Sequence, residues 1–65
     1  MIGVGMHVCF RSHVFESPYA PHYDSYKGHK FEVVKEHEGN HLQLKCISGN
    51  IIVNGYVHPS DLKRL

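Results

Sequence analysis

The chain has 65 residues, of which 42% are hydrophobic and 20% charged, and its formal net charge is +1. That balance excludes a disordered polyelectrolyte, and no apolar run approaches the roughly 20 residues that span a bilayer. It neither requires nor forbids nucleic acid, whose dedicated binders are strongly basic. A chain of this length makes one domain, residues 1–65, and buries only about 60% of its unfolded surface, so nearly every large apolar residue is needed for the core.

The pattern is β almost throughout. Val4, Met6, Val8 and Phe10 alternate with Gly5, His7 and Cys9, which predicts a first strand with the former set facing inward. From Arg11 to Lys27 no period holds, and Ser12, Ser17, Pro18, Pro21, Asp24 and Ser25 predict a long loop. Periodicity returns in KFEVVKE from Lys30, with Phe31 and Val33 on one face and Glu32, Val34 and Glu36 on the other. His37–Asn40 is a turn in which Gly39 or Asn40 takes positive φ. In HLQLKCI, Leu42, Leu44 and Cys46 alternate with His41, Gln43 and Lys45. Pairing Val33 with Leu44 sets Glu32 opposite Lys45 and Glu36 opposite His41, a register supported by unlike charges. After the turn Ser48–Asn50, a third meander strand is predicted at Ile51–Val53, with Ile51 and Val53 inward and Gly55 permitting a bend. Ile52 is the alternative inward residue, because IIV has no clean alternation. Pro59–Leu62 predicts one helical turn and Leu62–Leu65 a last short strand.

This layout resembles an SH3-like small barrel. The ending GYVHPSDLKRL looks like the closure of such barrels, and YKGHKFEVV is similar to the glycine-entered second strand of KOW-type barrels. The resemblance implies an all-β, five-stranded barrel with a long first loop and a short 3-10 turn before the last strand. HYDSY resembles the Ala-Leu-Tyr-Asp-Tyr motif of peptide-binding SH3 domains, but it stands at the end of the loop, and the chain has no tryptophan to clamp a polyproline ligand. Fold alone does not carry function.

Chemistry is sparse. Cys9 and Cys46 form no CxxC and are read as reduced thiols of a cytoplasmic protein. Seven histidines show no zinc spacing and are expected to be scattered over the surface; the sharper reading brings two or three of His22, His29 and His58 together at one barrel end. No residue spacing fixes a general base for a thiol, and no glycine-rich phosphate loop opens a helix, so no enzyme activity and no cofactor are expected.

The binding candidates are Tyr19, His22, Tyr23, Tyr26, Lys27, His29 and Lys30 in the loop, with Tyr56 and His58 at the barrel end. Tyrosine is rigid and amphipathic, and so is enriched where proteins bind. The same area also suits a small core, so Tyr19 and Tyr26 with Phe15 have a second reading as a cap on the interior. Val34, Ile47 and Ile52 are expected to point outward. The leading expectation is a non-catalytic module docking on a protein partner, in the manner of small accessory proteins of bacteria or phages. The alternatives are nucleic-acid binding, with Lys27, Lys30, Lys63, Arg64 and Arg11 on phosphate and the loop tyrosines on bases, and a histidine-dependent metal or pH-responsive module.

Overall fold

The computed structural model describes residues 2–16 and 23–65. Four strands form one antiparallel sheet: β1 (His7–Phe10), β2 (Phe31–Glu36), β3 (Leu42–Cys46) and β4 (Leu62–Arg64), in the order β3-β2-β1-β4. The all-β class is as expected. The five-stranded SH3-like barrel is not formed: β3 and β4 are the two edges, and the sheet stays open.

The missing strand is Ile51–Val53. Leu42 and Val57 exchange backbone hydrogen bonds at 2.8 Å in both directions. Continuing that pairing in register would set Gly55 opposite Leu44. Gly55 has φ 77°, a left-handed conformation that a β ladder does not accommodate. The chain therefore swings off the sheet after one bridge, and among the described residues no backbone–backbone hydrogen bond holds Ser48–Tyr56. Ile51 and Val53 still pack against the core, whereas Ile52 is 77% exposed, so the inward choice of Ile51 and Val53 holds without a strand.

Two further expectations are corrected. The first strand begins at His7 rather than Val4, because residues 3–6 make a tight turn in which Met6 N–H donates to Gly3 O, and Val4 is 59% exposed. The β2–β3 register pairs Val33 with Leu44 and Glu32 with Lys45, as the charges suggested, but a bulge between Val33 and Lys35 brings Glu36 opposite Leu42 instead of His41. The extra residue is the exposed Val34. Gly39 and Asn40 both take positive φ in the connecting turn, and a 3-10 turn at Pro59–Asp61 leads into β4.

The core lies on one face of the sheet. Val8, Phe10, Phe31, Val33, Leu42, Leu44 and Leu62 supply it from the strands; Val14, Tyr26 and Val57 cover it from irregular segments. The stretch after β1 folds inward through two short 3-10 turns, Ser12–Phe15 and Asp24–Tyr26. Tyr26 stacks on Phe10 at a centroid distance of 5.2 Å, and Phe31 meets both rings edge-on. Five aromatic rings, with Phe15 and Tyr23 at the margin, supply much of the buried area that so short a chain lacks.

Candidate docking surface

The structure divides the expected binding residues. Tyr19 and His22 lie outside the described residues. Tyr26 is only 7% exposed and belongs to the core. Tyr23 is half-buried, 6.0 Å from Phe10 and 5.9 Å from Tyr26 between ring centroids. Lys27 and Lys30 are exposed, while His29 is half-buried and places Nδ1 3.0 Å from Ser48 Oγ. Tyr56 is 57% exposed and stacks on His37 at 3.9 Å. His58 accepts the Ser60 N–H on Nδ1 at 3.1 Å, and its ring stands edge-on to His41 at 5.9 Å.

Two separate regions replace the single surface expected. His29 and Ser48 meet where β2 begins and β3 ends. Tyr56 and His58 flank Val57, which pairs with the first residue of β3. His29 and His58 therefore do not converge. Among the described residues no group of three or more His, Cys, Asp or Glu side chains is placed to share a metal ion.

Between these regions runs the outer edge of β3. Lys45 pairs with Glu32 and Ile47 N–H donates to Lys30 O at 2.9 Å, so the backbone groups of residues 45 and 47 turn toward β2. Val33 turns the other way, exchanging bonds with Met6 and Gly5. The N–H and C=O of Leu44 and Cys46 consequently point away from the sheet, in line with those of Leu42. Val57 occupies Leu42; among the described residues no backbone partner reaches Leu44 or Cys46 from outside. Beside this edge lies an open groove of about 380 Å³, lined by Gln43–Cys46 on one side and Asn50–Val53 on the other. Its walls join apolar Ile51, Ile52 and Val53 to the cationic Lys45.

Sequence reasoning missed this edge because it used Ile51–Val53 to close it. The signal was the pairing of a run without alternation, IIV, with a glycine two residues later. Exposed Val34, Ile47 and Ile52 are as expected. Among the described residues no helix is long and apolar enough to cross a membrane. No protein-family model matches the chain, and no curated protein or solved structure matches it either.

Proposed function

We propose that this chain is a small non-catalytic binding module that docks on a protein partner by accepting one of the partner's extended segments along the outer edge of β3. The observation that carries this reading is the outward-pointing backbone of Leu44 and Cys46 beside an apolar groove. Strand addition draws affinity from main-chain hydrogen bonds and specificity from alternate side chains. A residue added opposite Leu44 faces the Ile51–Val53 wall and is apolar; the next one lies opposite Lys45 and is acidic. The favoured segment therefore reads apolar–acidic–apolar.

Lys45 also argues for a foreign strand over a second copy. Antiparallel self-pairing that bonds Leu44 of one copy to Cys46 of the other sets the two Lys45 side chains directly opposite, and like charges there are destabilising. Tyr56 and His58, which flank the residue bridged to Leu42, serve as rim contacts. Tyr26, held in the core, is not free to stack a base, which weighs against the nucleic-acid reading. Two free cysteines fit a reducing compartment, and the cytoplasm is the proposed location.

The test is a titration of extended peptides carrying Val-Glu-Val or Val-Lys-Val, followed by amide NMR and by affinity. The Glu peptide is expected to shift the Leu44 and Cys46 amides and to bind more tightly, with the preference reversed in Lys45→Glu. Equal binding of both peptides, or shifts that avoid β3, would overturn the reading.

A further inference from the structure

Cys46 ends β3 on the core-facing side of the sheet, where the interior gives way to solvent. Among the described residues its sulfur has two side-chain hydrogen-bond partners: His29 Nδ1 at 3.8 Å and Ser48 Oγ at 3.7 Å. These neighbours also meet each other, since Ser48 Oγ is 3.0 Å from His29 Nδ1. The same oxygen accepts the Lys30 N–H at 2.9 Å. A hydroxyl has one proton to give. When His29 carries its proton on Nδ1 and donates to Oγ, the Ser48 proton is directed at the sulfur.

The turn after β3 adds backbone donors. Burial by itself would push the Cys46 thiol up; hydrogen bonds from the Ser48 backbone and hydroxyl, and from the backbones of Ile51 and Gly49, outweigh it and bring the thiol below its ordinary value. Gly49 allows the turn to wrap this tightly, because a Cβ there would stand 3.1 Å from His29 Cε1.

We propose that Cys46, activated by Ser48 and His29, is a reactive thiol site that takes low-molecular-weight disulfides and forms a mixed disulfide on this chain. The Cys46 thiolate attacks one sulfur of the small disulfide. A new S–S bond forms to Sγ, the reagent's own S–S bond breaks, and its other half departs as a thiolate, which water protonates only where that thiol's own pKa lies above the ambient pH. Cys46 is oxidised and one half of the reagent is reduced, so the exchange needs no further oxidant. The competing intrachain product is not available. Val8 and Phe10 face the core, so Cys9 between them faces the opposite side of the sheet from Cys46, which follows Leu42 and Leu44 inward. The site stands independently of the strand-docking reading.

The experiment tracks the reaction of the folded chain with the dianionic disulfide dithiobis(nitrobenzoate), then with oxidised glutathione, and locates the adduct by peptide mass spectrometry. Cys9→Ser is expected to keep the fast phase and Cys46→Ser to lose it. Ser48→Ala is expected to slow it roughly threefold near neutral pH, since a smaller thiolate fraction is partly offset by a more nucleophilic sulfur. Its pH–rate profile moves to higher pH, and Ser48→Thr, which keeps the hydroxyl, restores both. Ser48 also holds the Lys30 amide, so His29→Gln supplies a second variant that leaves that bond in place. A fast phase that belongs to Cys9, or a pH–rate profile unmoved in both Ser48→Ala and His29→Gln, would overturn the proposal.

Discussion

Tyr26 and Tyr56 show how one residue type is put to two uses. Tyr26 lies against Phe10 and Phe31 and is nearly closed to solvent; Tyr56 stands out from the surface with His37 stacked on it. Removing a buried aromatic ring leaves a cavity that a small core cannot collapse around, so Tyr26→Ala is expected to destabilise by about 3–5 kcal/mol. That is enough to unfold most of a marginal domain. Tyr26→Phe should be mild, because the hydroxyl's contact with Asn54 N is long, at 3.4 Å. Tyr56→Ala should stay within about 1 kcal/mol, as surface changes do. Urea denaturation of the three variants checks this, and a mild Tyr26→Ala would mean that the aromatic cluster is not what holds the irregular segment down. These roles were not readable in advance. Composition announced the tyrosines, but assigning a face needs a period, and the stretch from Arg11 to Lys27 has none. Where alternation exists, as in Phe31 and Val33 or Leu42 and Leu44, the inward residues were legible and are buried.

At the scale of elements, the open edge of β3 makes a prediction that needs no partner. The amides of Lys45 and Ile47 are committed to β2, while those of Leu44 and Cys46 face outward. Hydrogen exchange should therefore alternate along the strand, slow at residues 45 and 47 and fast at 44 and 46. Uniform protection from Leu44 to Ile47 would show that Ile51–Val53 closes the edge after all. Gly55 bears on the same question. Among the described residues nothing lies within 4 Å of a Cβ added there, so the cost of Gly55→Ala is set by the positive φ. The expected loss is about 1 kcal/mol, or a fall in Tm of roughly 4–8 °C, measured by thermal unfolding. The strand pairing of the meander was legible because charge and alternation agree on one register. The bulge at Val34 was not, because a single extra residue leaves both patterns intact up to Val33 and shifts only the pairing of Lys35 and Glu36. The third strand was misread for a related reason: propensity favours Ile51–Val53 as β, but the geometry at Gly55 decides whether that propensity finds a ladder.

Stability belongs to the whole molecule, and an ionising group whose acidity changes on folding makes it depend on pH. The folded state lowers the Cys46 thiol from its ordinary value of 9.0, with burial opposing and the Ser48, Ile51 and Gly49 bonds prevailing. A group whose acidity rises on folding binds fewer protons in the native state than in the unfolded one between the two pKa values. The contribution is therefore fully present above the unfolded value and is lost as pH falls through the folded one. Comparing the Cys9→Ser protein with the double variant that also carries Cys46→Ser isolates this thiol, since every other titrating group is common to both. The single variant should gain Tm relative to the double variant as pH rises from about 7 to about 10, and the gain should level off beyond the ordinary thiol range. The gap should shrink in a Ser48→Ala background, where the sulfur loses its side-chain donor. A difference in Tm that stays flat across this range would mean that the fold does not favour the thiolate. The turn from Ser48 to Ile51 would then be only a connection, and the reactivity assigned to Cys46 would lose its physical basis, whatever occupies the neighbouring edge of β3.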